Sequence, residues 1–259
     1  ASASPSPSVS GLAIVAVLRA LLLDLDDTLL VNDADEFLSC YFRALIAKVQ
    51  DTVPVGRFAE ALTVATRAME RNDGRGGTNA EVFERVFFAR LRRERDALRA
   101  LFDDFYAHEF EALRAVTTVD PAARELVAWA FDNGLQVAIA TQPVFPRVAV
   151  LARLRWADVP LEEFPYHWVA CYEEMHACKP HPHFFREILE GLGRQPEECL
   201  MVGDSPVADM PARDLGLCTY LVDRGTRTDT GDVACDARGD LRHLLTLLRT
   251  GGIDDLRGR

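Results

Sequence analysis

Asp24 and Asp26 stand two residues apart in the run Asp24-Leu25-Asp26-Asp27-Thr28, and a second acidic pair, Asp204 and Asp209, stands in Gly203-Asp204-Ser205-Pro206-Val207-Ala208-Asp209. Between these runs lie a threonine, Thr141, closing an apolar stretch, and a lysine, Lys179, followed by Pro180. Carboxylates serve as nucleophiles, as general acids and bases, and as hard oxygen ligands suited to Mg²⁺. A lysine supplies a compact point charge beside them. Lysine is scarce in this chain, since 27 of its 29 basic residues are arginine and only Lys48 and Lys179 remain. Lys48 reads as an ordinary helix-face residue, so Lys179 is the lysine with a candidate role.

These side chains can act together only if the fold brings them to one place. Residues 20 to 25, ALLLDL, read as a buried parallel strand ending in acids. A mostly helical stretch follows, from about residue 34 to 115, with Phe37, Tyr41, Leu45 and Val49 at helical spacing and GRGGTN (74 to 79) as its clearest break. Asp120-Pro121 opens a new helix that stops at Asn133-Gly134. Strands and helices then alternate. Strands are expected at 135–140, about 167–171, 198–203 and 218–222, and helices at 146–155, 183–190, 207–215 and about 239–249. That alternation implies an α/β fold with a Rossmann-like parallel sheet covered on both faces. The helical stretch falls between the first two strands, so it is an insertion. Asp24, Thr141 and Asp204 all fall at strand ends, and in open parallel sheets ligands bind beyond the carboxyl ends, where strand order reverses. One crevice can hold the whole set.

The ordered set DLDDT (24 to 28), Thr141, Lys179-Pro180 and GDSPVAD (203 to 209) resembles the haloacid dehalogenase-like superfamily, over about residues 20 to 225. The resemblance implies a core sheet of order 5-4-1-2-3, with the strands of Asp24 and Asp204 side by side, and an inserted helical cap that closes over the site. It divides the chain into a disordered leader (1–11), a core (12–30 and 120–259) and a cap (31–119), with the loop through Asn32 and Asp33 as hinge and flap. It implies a Mg²⁺-dependent phosphatase acting on a small phosphorylated metabolite. Asp24 is similar to the nucleophile. Asp26 resembles the general acid and base, with its backbone carbonyl on the metal. Asp204 resembles a further metal ligand, and Asp209 an outer carboxylate orienting a metal water or Lys179. Thr141 and Lys179 match the groups that hold the phosphoryl oxygens and the nucleophile. Gln142 stands where many relatives carry Asn, as a candidate phosphate contact.

Rival readings on the same scaffold are a phosphomutase, a 2-haloacid dehalogenase and a catalytically silent binding protein. Dehalogenation needs neither the second carboxylate nor a metal, so Asp26, Asp204 and Asp209 favour phosphoryl transfer. Substrate choice falls to the cap, where Arg67, Arg71, Asn72 and Arg75 in the polar stretch RAMERNDGRGGTN are the candidate contacts. Blander roles suit the remaining groups. Asp27 reads as structural, His181 and His183 as helix-start caps, Cys171, Cys178 and Cys199 as core thiols, and Phe83, Phe87 and Phe88 as cap core.

Composition sets the outer limits. A formal charge of −11 opposes nucleic-acid binding, which rests on clustered cations. No apolar run reaches the length of a membrane span, and the best, Gly11 to Leu23, is interrupted by Arg19. The six cysteines form no C-x-x-C pair. ASASPSPSVS reads as a leader without the basic segment of a secretory signal, and the expected location is the cytoplasm. Residues 31 to 119 hold 13 basic and 15 acidic residues and the remainder 16 and 25, so the acidic surplus belongs to the core.

Overall fold

The computed structural model describes residues 17–225 and 233–252, so the Ser/Pro/Ala leader lies outside the described residues. The first strand, β1 (Ala20–Leu23), is wholly buried and pairs in parallel on both edges. After it come β2 (Leu30–Asn32), α1 (Ala34–Val49), α2 (Val55–Glu70), α3 (Asn79–Arg90), α4 (Arg95–His108) and β3 (Thr117–Val119). The second half alternates: α5 (Pro121–Asp132), β4 (Gln136–Ile139), α6 (Arg147–Trp156), β5 (Trp168–Val169), α7 (Pro182–Leu192), β6 (Cys199–Gly203), β7 (Cys218–Val222), β8 (Ala237–Gly239) and α8 (Leu241–Thr250).

The main sheet has the order β5-β4-β1-β6-β7-β8, with every pair parallel. Counting β1, β4, β5, β6 and β7 as the five core strands gives the expected order 5-4-1-2-3, and β8 adds a sixth at the edge. Side chains alternate across the sheet. Leu21, Leu23, Val137, Ile139, Leu200 and Val202 pack with buried residues of α5, α6 and α8. Ala20, Leu22, Ala138 and Met201 pack on the other face with Phe184, Phe185 and Ile188 of α7. Burial of both faces explains why these strands read as continuous apolar runs.

The insertion leaves and returns through a two-stranded antiparallel ladder, with Leu30 opposite Val119 and Asn32 opposite Thr117. The segment expected as a loop is therefore strand up to Asn32, and Asp33 caps α1 by accepting from the Glu36 N–H at 2.8 Å. In α1 the buried residues are Phe37, Tyr41, Leu45 and Val49, the stripe expected from their spacing. Phe110 stacks on Trp156 of α6 at 5.2 Å, which joins the insertion's core to that of the sheet. Lys48 ties α1 to the end of α4 through Asp104 and Glu109.

Four elements depart from expectation. Residues 207–209 are not helical, and only a short 3₁₀ turn, Met210–Leu215, follows. The Asp209 carboxylate holds the Ser205 N–H at 2.9 Å, and Pro211 brings no N–H to a helical ladder. The strands β2, β3 and β8 are three residues each, too short to carry an alternating signal.

Candidate active site

The register of β1 sets the site. The Asp24 N–H donates to the Val202 carbonyl at 2.9 Å and the Ala140 N–H to the Leu23 carbonyl at 2.7 Å, so Asp24, Thr141 and Asp204 emerge beyond adjacent strand ends. They line a crevice of about 720 Å³ together with Asp26, Gln142, Lys179, Asp209 and Arg224. Lys179 Nζ donates to Asp24 Oδ1 at 2.7 Å and to Asp209 Oδ1 at 2.6 Å. All three side chains are buried. Gly203 is required by this packing, because a β-carbon there would collide with the Asp209 carboxylate.

One carboxylate oxygen from each of Asp24, Asp204 and Asp209 lies within 4.8 Å of the others. Three carboxylates face a single ammonium, and the donors are all hard oxygens. A divalent cation of the Mg²⁺ type fits that set of hard donors. Burial raises the Asp24 carboxyl well above its ordinary range. Lys179 opposes the shift, and the neighbouring Asp209 and Asp204 charges reinforce it. Burial alone would lower Lys179, but the Asp209 and Asp24 carboxylates outweigh it and hold the ammonium above its ordinary value.

Gln142 is engaged elsewhere than a phosphate contact requires. Its Nε2 donates to the Lys179 carbonyl at 3.2 Å and its Oε1 accepts from the Lys179 N–H at 2.9 Å. Both ends of the side-chain amide hold the Lys179 backbone, so Gln142 positions the lysine. Thr141 is buried on the crevice wall.

Asp26 has partners that sequence reasoning missed. Arg153, on α6 and without solvent exposure, donates to Asp26 Oδ2, while Asn32 of β2 donates to Oδ1 at 3.1 Å. Arg153 lies over the Phe145 ring at 4.6 Å, and its Nη2 is buried without a partner. Its sequence signal was an arginine among the apolar positions Ala149, Val150 and Leu154 of one helix. Arg224, just beyond β7, was also missed, although it too follows a strand end. It donates to the Asp120 carboxylate and to the Thr28 carbonyl, both at 2.6 Å, and so clasps the chain on each side of the β2–β3 ladder. Asp27 adopts φ 53°, with its N–H donated to the Leu30 carbonyl at 2.7 Å, which suits a structural role.

The four candidate substrate contacts do not line the crevice. Arg67 lies in a surface groove beside Phe58 and Glu70, Arg71 ends α2, and the Arg75 side chain is 91% exposed. Asn72 is buried, donating to the Gly77 carbonyl and to Asn79 Oδ1, both at 2.9 Å. The polar loop is turned toward the core for another reason. The Asn79 and Ala80 N–H groups donate to the Met175 and Tyr172 carbonyls, both at 2.7 Å. Asn79 Nδ2 reaches the Pro143 and Ala177 carbonyls at 3.2 and 3.3 Å. The loop is a tether between insertion and core. His181 caps α7 as expected, accepting from the His183 N–H at 3.2 Å. Cys171, Cys178 and Cys199 are buried, as core thiols would be. Phe87 and Phe88 are buried in the insertion, with Phe83 stacked on Phe87 at 5.1 Å.

Comparison with known proteins bears on this geometry. The chain is 26% identical over 212 residues to phosphoglycolate phosphatase 1 of Pseudomonas aeruginosa, a match covering 78% of this chain and 69% of that protein. In fold it is similar to a haloacid dehalogenase-like phosphatase from Thermococcus onnurineus, with TM-score 0.57, 21% identity and coverage of 89% and 98% of the two chains. It is equally similar to a 2-haloacid dehalogenase from Pseudomonas syringae pv. Tomato DC3000, with TM-score 0.60, 20% identity and coverage of 91% and 100%. The fold is thus shared by phosphatases and dehalogenases alike. The model of the haloacid dehalogenase-like hydrolases matches residues 18–213, and the chain belongs to that family.

Proposed function

We propose that the crevice hydrolyses a small phosphate monoester with Mg²⁺, through an aspartyl-phosphate on Asp24. The observation that carries this reading is the Lys179 ammonium bridging Asp24 and Asp209, with Asp204 close by and a second carboxylate, Asp26, on the same wall. An Asp24 oxygen attacks phosphorus while the bond to the leaving alcohol breaks and Asp26 gives that oxygen its proton. Asp26 then takes a proton from water, which attacks the phosphoryl group, releases phosphate and restores Asp24. Thr141 hydrogen-bonds a phosphoryl oxygen, Lys179 offsets the charge on Asp24, and Gln142 keeps Lys179 in line. Asp24, Asp204 and the Asp26 carbonyl would hold Mg²⁺, with Asp209 as an outer carboxylate, and the ion would supply neutralisation of the phosphoryl charge.

In this reading residues 31–119 form a cap over a core of residues 12–30 and 120–259, and the β2–β3 ladder is the passage between them. The substrate is a small phosphorylated metabolite, in keeping with the name of the Pseudomonas aeruginosa relative. No helix of the described residues is long and apolar enough to cross a membrane. Buried cysteines in a chain of this length favour a reducing compartment, and the cytoplasm is the location proposed.

The test is hydrolysis of p-nitrophenyl phosphate with and without Mg²⁺. Wild type is expected to be active only with the metal, and Asp24→Asn to be inactive while keeping its circular dichroism spectrum. No turnover across a broad panel of phosphate esters sinks the reading. A requirement for a bisphosphate activator points to a mutase instead, and metal-independent chloride release from 2-chloropropionate to a dehalogenase.

A further inference from the structure

A second cavity, of about 610 Å³, lies where the insertion meets the segment after β4. That volume is within the range of small-molecule sites. Its wall is largely aromatic and aliphatic, with Phe83 and Tyr106 from the insertion facing Phe145 and Tyr172 from the core. Leu38, Phe42 and Val148 on the same wall are 37%, 40% and 46% exposed. Large apolar side chains left in water side by side mark a surface that something covers.

The cavity adjoins the crevice. Asp35 lines the crevice and Leu38, three residues on in α1, lines the cavity, a separation of about one helical turn. Gln142 lines the crevice and Val144 the cavity. Phe145 on the cavity wall lies under the Arg153 guanidinium, which is paired with Asp26. Helix α1 and residues 142–145 thus border both cavities, and the buried Arg153 joins Phe145 of one to Asp26 of the other, the residue assigned to the leaving alcohol.

Its charge selects among alcohols. The charged side chains on the wall are Glu70, Asp103 and Glu173, all acidic, with no Arg, Lys or His among the described lining residues. A carboxylate such as that of glycolate meets like charge and no cation here. An ammonium meets acids and aromatic faces, both of which attract it.

We propose that this cavity is the leaving-group subsite, and that it takes the apolar body of an alcohol without an anionic group, neutral or amine-bearing. The proposal rests on the phosphatase reading above and departs from a phosphoglycolate-like substrate. The experiment measures kcat/KM with Mg²⁺ for ethyl, butyl, hexyl and aminohexyl phosphate and for phosphoglycolate. Each methylene that reaches the cavity is expected to raise kcat/KM by about fourfold, so hexyl phosphate, two methylenes longer, exceeds butyl phosphate by roughly fifteenfold. Aminohexyl phosphate is expected to match or exceed hexyl phosphate, with phosphoglycolate below both. Phe42→Ser and Val148→Ser are expected to lower the hexyl-to-ethyl ratio several-fold. A flat chain-length series, or phosphoglycolate as the best substrate, overturns the subsite and leaves the phosphatase reading standing. If no ester is turned over, the phosphatase reading falls, and calorimetry with hexylamine judges the cavity alone. Binding lost in Phe42→Ser then supports an apolar, amine-tolerant site, and no binding to wild type overturns it.

Discussion

The guanidinium of Arg153 is paired with the carboxylate of Asp26, although 127 positions separate them in the chain. Asn32 holds the other oxygen of the same carboxylate. Asp26 is thereby fixed between a helix of the core and the strand that leads into the insertion. In the proposed mechanism Asp26 must meet a leaving oxygen at hydrogen-bond distance and would gain from such support, because small misplacements cost large factors in rate. Arg153 touches Asp26 and is assigned the work of positioning it.

That pairing predicts an asymmetry between two substitutions. Asp26→Asn leaves a guanidinium with no exposure and no counter-charge, whereas Arg153→Met leaves a carboxylate that retains one-third exposure. Stranding the buried charge costs about 3–5 kcal/mol, and stranding the half-open one is expected to cost less. Urea unfolding checks the order, and the double variant Asp26→Asn/Arg153→Met is expected to recover part of the Asp26→Asn loss. If the two single variants are equally stable and additive, the pair holds nothing in place.

Much of this frame was legible along the chain, for identifiable reasons. A strand buried on both faces is a run of apolar residues, so ALLL and CLMVG declared themselves, and the acids at their ends could be assigned to one crevice. Arg153 was not legible, because a helix pattern gives the face of a residue but not the distant carboxylate that makes burial tolerable. The tethering role of loop 72–79 was not legible for a related reason. The loop's polar residues suggested a substrate surface, but Asn79 donates to core carbonyls 64 and 98 positions away. Gln142 lies in the crevice, and its hold on the Lys179 backbone was not legible, since only the fold brings that backbone against it.

Burial also predicts an alkaline limit to stability. It pushes the Cys178 thiol up to about 12 and the Tyr41 hydroxyl up to about 12. Both groups are neutral in the folded chain and ionise more easily when it unfolds. The stability they contribute is therefore complete below about pH 9, where unfolded thiols begin to titrate, and is lost as pH rises toward 12. Thermal melts are expected to be insensitive to these two groups from pH 6 to 8 and to fall steeply above pH 9. Cys178→Ala is expected to flatten the first part of that fall. A native-state alkylation series should show the same burial, with Cys178 reacting far more slowly than the partly exposed Cys40. Equal alkylation rates for the two at pH 8 are incompatible with the environment of Cys178 described here.

The tether at Asn79 gives the last prediction. Its fully buried amide donates to Pro143 and Ala177 and accepts from Asn72, joining the insertion to the segment that runs into Lys179. Removing the amide leaves two carbonyls deprived of a buried donor, at a cost of about 2 kcal/mol. Asn79→Ala is therefore expected to lower the unfolding midpoint and also to speed hydrogen exchange at the Met175–Lys179 amides more than in β6, which lies on the far side of β1. A lower kcat with an intact Asp24 is expected to accompany it, since the chain leading into Lys179 then loses its link to the insertion. Asn79→Asp separates packing from hydrogen bonding, because it keeps the acceptor for Asn72 but turns the donor into a buried acid facing two carbonyls. It is expected to be worse than alanine at neutral pH and to approach it in acid, where the protonated carboxyl regains a donor. Exchange at 175–179 that does not change in Asn79→Ala means that the tether carries no strain between insertion and site.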